Sequence, residues 1–102
     1  MTVVEVIFHP AAGDEAEAAH DWYSDRSPIA AARFREELDA AVDDIQNHPD
    51  CGGPYLHGTR CYLLRRFPYL VVYHRPSEEV VEVVAIAHGR RRPGYWKSRK
   101  KS

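Results

Sequence analysis

The chain is poor in the features that staple, anchor or export a protein. Its 102 residues hold two cysteines, Cys51 and Cys61, too few for a disulfide framework, and in a reducing compartment both are expected as free thiols. Joined with His48 and His57 they match no paired-ligand spacing, so no metal site is expected. No apolar run reaches the roughly 18 residues of a membrane span; the strongest, Val80–Ala87, is interrupted by Glu82. Met1–Glu5 shows no basic segment followed by an apolar one, so no secretory signal is read there. Repeats, linkers and low-complexity stretches are lacking. The expectation is a cytoplasmic protein with no cofactor and no membrane contact.

What is present suits one folded domain. Hydrophobic residues make up 44% of the chain and charged residues 28%, a balance that a disordered chain does not show. The formal charge of −1 conceals a division. Residues 1–59 carry three basic residues against twelve acidic ones, a net −9, whereas residues 60–102 carry eleven against three, a net +8. Such asymmetry points to a basic face aimed at an acidic partner. Within it, Lys97–Lys101 reads as a basic C-terminal tail over 97–102. Arg60, Arg65, Arg66 and Arg90–Arg92 border strands and are the better candidates for contact.

Val3–Phe8 is short and β-branched and stops at His9-Pro10, which predicts a first strand. Ala11–Arg26 is rich in Ala and Glu, with Ala12, Ala16, Ala19 and Trp22/Tyr23 at helical spacing. Ser27-Pro28 then supplies a serine cap followed by proline where its missing N–H costs nothing. The second helix carries Ala31, Phe34, Leu38, Ala41/Val42 and Ile45 in steps of three and four, and Pro49 ends it near His48. Phe34, Leu38, Val42 and Ile45 are expected in the core, as are Trp22 and Tyr23. Asp50–Gly58 reads as a loop. Three strands are expected after it, Arg60–Phe67, Tyr69–Arg75 and Val80–His88, joined by the short turns Phe67-Pro68 and Arg75–Glu78. In the last strand Val81, Val83, Ala85 and Ala87 are expected on one face, with Glu82 and His88 on the other. The expected architecture is an α+β domain over 1–96 of order β-α-α-β-β-β, an antiparallel meander with an N-terminal helical hairpin packed on it.

This order, with Leu63-Leu64-Arg65-Arg66-Phe67-Pro68-Tyr69 and His88-Gly89-Arg90-Arg91-Arg92-Pro93-Gly94-Tyr95-Trp96, resembles the RelE/ParE toxin superfamily. Phe8-His9-Pro10-Ala11-Ala12, Trp22-Tyr23 and Ser27-Pro28 add to the likeness, which spans about residues 3–96. The resemblance implies the toxin of a type II toxin–antitoxin module of the plasmid-stabilisation type, a growth inhibitor silenced by a cognate antitoxin in a hetero-oligomer. RelE-like members cleave mRNA on the ribosome; ParE-like members block DNA gyrase.

RNA cleavage needs a base, an acid and positioned cations converging on one phosphate. RelE-like members bring lysines on the first meander strand and an arginine just after the tyrosine that opens the next. Here Leu70 follows Tyr69, and the inner part of the preceding strand reads Cys61-Tyr62-Leu63-Leu64. Arg90, Tyr95 and His88 remain as a partial catalytic set, with His57 and His74 as further titratable groups. The Arg-Arg-Phe-Pro-Tyr hairpin and the closing Arg-Arg-x-Pro-x-Tyr-Trp block resemble the ParE-like branch. On that reading Arg90, Arg91, Arg92, Tyr95 and Trp96 are candidates for target contact, although Tyr95 and Trp96 read first as aromatic cover for the sheet edge. Arg65, Arg66, Leu70, Val72 and Arg90 are candidates for the antitoxin site. Strand alternation would leave only one of Arg65 and Arg66 pointing to solvent. A plain nucleic-acid-binding module without toxicity is the reading from another class, carried only by the basic half.

Overall fold

The computed structural model describes residues 4–100. Val3, expected in the first strand, and Lys101 and Ser102, expected in the tail, lie outside the described residues. The first strand, β1, is Glu5–Phe8 and the helices are α1, Pro10–Ser24, and α2, Pro28–Asn47. They begin alike, with proline in the first turn behind a side-chain cap. His9 Nδ1 accepts from the Ala11 N–H at 3.1 Å, and Ser27 Oγ from the Ala30 N–H at 3.2 Å. His48 ends α2, as Pro49 demands.

The remaining strands are β2, Gly53–Tyr55, β3, Thr59–Leu63, β4, Tyr69–Ser77, and β5, Val80–His88, in the sheet order β1-β5-β4-β3-β2. Neighbours pair antiparallel except β1, which runs parallel to β5 with Glu5 opposite Val80. The α+β architecture is the expected one, with the helical hairpin on one face of the sheet. Three local expectations are corrected. Asp50–Gly58 is not all loop: Gly53–Tyr55 forms the edge strand β2, where Pro54 is tolerated, and Leu56–Gly58 forms a 3₁₀ turn with His57 at φ 58°. The third strand stops at Leu63 rather than Phe67. The Leu64 N–H donates to the Tyr69 carbonyl at 3.0 Å, and the Arg65 and Arg66 N–H groups turn aside to the Glu37 carboxylate.

The third correction lies in β5. Val72 stands opposite Ala85 but Tyr73 stands opposite Val83, so Val84 is an inserted bulge residue. The bulge swaps the faces. Val81, Val83 and Ile86 join Ala12, Ala19, Phe34, Ala41, Ile45, Val71 and Tyr73 under the helices. Val84, Ala85 and Ala87 instead join Val72 and Trp96 in a smaller cluster on the opposite face. Glu82 lies beside His74 at 2.9 Å, whereas the His88 ring meets Tyr69 on the helix side. Glu82 and His88 therefore do not share a face.

Candidate functional site

Both arginine groups arise where strands end. In the turn between β3 and β4, Phe67 packs into an aromatic nest with Tyr23 and Phe34, ring centroids 5.0 and 5.3 Å away. Anchored by Phe67 and by Glu37, the turn presents Arg65 and Arg66, and both are exposed. Strand alternation does not reach them, because β3 ends at Leu63. After β5, the Gly89 N–H donates to the Pro68 carbonyl at 2.7 Å. That single bond ties the Arg90–Arg92 turn to the Arg65–Arg66 turn at one end of the sheet, where Tyr69 pairs with His88.

Arg65, Arg66, Arg90, Arg91 and Arg92 are not in a salt bridge among the described residues. Their charge faces outward, which suits contact with carboxylates or phosphates. Arg60 differs: its guanidinium donates to the Gly52 carbonyl at 2.7 Å and lies 3.6 Å from Asp50, so it serves the local structure.

Beside this end of the sheet runs a groove of about 570 Å³ between α1 and the β4–β5 pair. Ala18, Ala19 and Trp22 form one wall, Tyr69, Ile86 and His88 the other, and Arg91 stands at its margin. Trp22 was expected in the core; it is 52% exposed, with the Arg26 guanidinium 3.7 Å from its ring centre. The spacing of four between Trp22 and Arg26 is the signal that could have revealed this stacked surface pair. Tyr23, by contrast, packs in the core as expected.

The other predicted residues divide by face. Trp96 is 1% exposed and lies on Val72 and Ala85, so its ring covers the sheet and is withheld from a target. Val72 beneath it is fully buried and offers no antitoxin surface, whereas Leu70 is half-buried at the edge of the same cluster. Leu63, 64% exposed opposite Leu70, was not foreseen. Tyr95 is half-buried, its hydroxyl donating to Glu15 Oε2 at 2.6 Å. Burial, the hydrogen bond and the Glu15 charge all raise its pKa. A proton held this way is not poised for transfer to a substrate. His88 Nδ1 accepts from the Arg90 N–H at 3.0 Å. His74 is buried against Glu82, and His57 packs against Trp96. Arg90, Tyr95 and His88 thus lie in one region, each in a local contact, and His57 and His74 are not part of it.

The basic segment after Trp96 is anchored over its described residues. Lys97–Arg99 make a 3₁₀ turn, Arg99 Nη1 donates to Glu15 Oε1 at 2.8 Å, and Lys100 Nζ donates to the His57 carbonyl at 2.7 Å. Burial weighs against the Arg99 charge, but the Glu15 carboxylate outweighs it and raises the guanidinium pKa. Sequence reasoning missed Glu15, which looks like one more solvated acid in an Ala-rich helix.

The chain is thus a small α+β domain of two helices and five strands with arginine-bearing turns at one end of its sheet. The family model described as "ParE toxin of type II toxin-antitoxin system, parDE" matches residues 6–93, and the chain belongs to that family. It is a ParE-type toxin of a type II toxin–antitoxin system. The fold is similar to a solved structure of the chromosomal ParDE toxin–antitoxin system from P. aeruginosa, with a TM-score of 0.72 and 17% identity over 84% of this chain and 96% of that one. No curated protein matches the sequence.

Proposed function

We propose that this toxin arrests growth by binding and blocking DNA gyrase through its arginine-bearing sheet end, without catalysis, in the cytoplasm. The observation that carries the reading is the convergence of the Arg65–Arg66 and Arg90–Arg92 turns, joined through Gly89 and Pro68, beside an apolar groove. Cations around apolar surface suit a macromolecular partner, since buried anchors supply affinity and rim charges steer association. The same pattern supports neutralisation by a cognate antitoxin. Its acidic, amphipathic segment would occupy the groove and reach Arg65, Arg66, Arg90 and the half-buried Leu70. The RelE-like alternative is weakened by Leu70 standing where an arginine is required and by the commitment of Tyr95 to Glu15.

Induction in a bacterium lacking the antitoxin, with DNA and protein synthesis followed by pulse labelling, tests the target. DNA synthesis should fail first, and purified gyrase should then be inhibited by the purified toxin. Earlier failure of protein synthesis would return Arg90, Tyr95 and His88 as catalytic candidates for mRNA cleavage. Salt-sensitive nucleic-acid binding with no growth arrest would favour the plain binding module.

A further inference from the structure

Glu15 is the most heavily used carboxylate among the described residues. It projects from the first turns of α1 and meets the far end of the chain. Its Oε1 accepts from the Ile86 N–H at 3.1 Å and from Arg99 Nη1 at 2.8 Å; its Oε2 accepts from the Tyr95 hydroxyl at 2.6 Å and from Arg99 Nη2 at 3.2 Å. Both members of the ion pair are largely buried, with side chains 17% and 18% exposed. Arg99 Nη1 also donates to the Val84 carbonyl at 3.1 Å, which fixes the pair to the bulge of β5.

These bonds converge on one ring. Two guanidinium groups lie near the Tyr95 ring, Arg91 at 4.0 Å and Arg99 at 5.2 Å from its centre. The hydrogen bond at the phenol oxygen fixes the outer end of the ring, and the ring face seats Arg91 at the margin of the groove. Gly94, at φ 83°, makes the turn that places Tyr95 there, and the Tyr95 N–H donates to the Arg92 carbonyl at 3.2 Å. Removing the carboxylate would strand the Ile86 N–H, the Tyr95 hydroxyl and Arg99 Nη2, and would release the ring from its position.

We infer that Glu15 is a positioning residue: by clamping Tyr95 and Arg99 it holds the Arg90–Arg92 turn in one geometry and presents Arg91 for partner contact. This rests on the proposed reading of that turn as the target contact. Glu15 also lines the groove, and its effect on the turn runs through Tyr95 and Arg91.

The test uses the full chain carrying Glu15→Ala, with Glu15→Gln as a second variant that keeps acceptor oxygen and folds more readily. Trypsin nicking of the folded protein after Arg90 and Arg91 should accelerate roughly tenfold or more in Glu15→Ala, the size expected when hydrogen bonds to a charged group are lost. Nicking after Arg65, which Glu37 holds, should not change. Glu15→Gln should fall between Glu15→Ala and the wild type. Growth arrest, titrated by inducer, should weaken in Glu15→Ala as it does in Arg91→Ala, and the double variant should be no weaker than Arg91→Ala alone. Unchanged nicking at Arg90 and Arg91, equal acceleration at Arg65, or multiplied losses in the double variant would each overturn the assignment. Growth arrest by a chain with Arg90–Arg92 all changed to Ala would refute the target reading instead, and the nicking pattern would still decide whether Glu15 positions the turn.

Discussion

Phe34 and Trp96 cover opposite faces of one sheet, and they are supported very differently. Phe34 is the middle of an aromatic group, with Tyr23, Phe67 and Tyr69 at ring distances of 5.3–5.5 Å, backed by two helices. Trp96 has no helix behind it. It rests on Val72, Val84, Ala85 and Ala87, edged by Tyr55 and Leu70, and is kept in place by a short segment clamped at Glu15. The two helices, α1 and α2, form a single layer on the Phe34 face. The bulge at Val84 nevertheless turns alanines and a valine toward the uncovered side, so a single large ring must close it. The segment that brings this ring also carries Arg90–Arg92, which places partner contact and sheet cover on adjacent residues.

Truncations should rank the two covers. Phe34→Ala should cost about 3–5 kcal/mol, since it opens a cavity among rings that cannot collapse. Trp96→Ala should cost about 3 kcal/mol, nearer the low end for such truncations, because water can reach the vacated face. Urea unfolding of both variants measures the difference; a Trp96→Ala protein as stable as wild type would mean the ring is no cover.

A smaller effect should appear in alkali. Tyr73, fully buried on the helix face, accepts from the Gly52 N–H at 2.9 Å and donates to the Pro49 carbonyl at 2.8 Å. A Cβ at Gly52 would lie 2.7 Å from that oxygen, so glycine is required there. Burial pushes the Tyr73 phenol up to about 12. The unfolded phenol ionises near 10, so its contribution is complete below that pH and is lost as pH rises toward 12. Tyr73→Phe should therefore flatten the fall in stability between these values, and an unaltered profile would count against the buried phenol as its source. The smallest stability effect belongs to the turn itself. Changing Arg90, Arg91 and Arg92 to Ala should shift stability by no more than about 1 kcal/mol, mainly through the lost stacking on Tyr95, while growth arrest disappears. Retained growth arrest with unchanged melting would detach the turn from function.

Local rules made much of this fold legible. Ser27-Pro28 and His48-Pro49 bracket α2 because capping and proline geometry act over a few residues. The apolar stripe from Ala31 to Ile45 located the helical side of the core. What stayed hidden depends on partners far along the chain. The apolar stretch Val83–Ala87 conceals the bulge at Val84, because periodicity is unreadable when both faces are buried. Gly53-Pro54 looks like loop until an edge of the sheet is there to receive it. Glu15 and Trp22 share a helix, yet the acid is enclosed and the indole exposed, an inversion set by Arg99 and Tyr95 rather than by helical spacing. The arginine turns were visible as composition; their meeting required the Gly89–Pro68 bond.

The parallel pairing of β1 with β5 has a consequence for how the chain is made. Glu5 leaves the ribosome early but finds its partner only when Val80 has followed. Until then β1 has no neighbour, because β5 is the strand that joins it to the meander. Glu15 likewise waits for Tyr95 and Arg99. Pairings so distant in sequence form late. The sheet of the nascent toxin therefore stays incomplete until β5 has been made, and its arginine turn is set only after Tyr95 and Arg99 have followed.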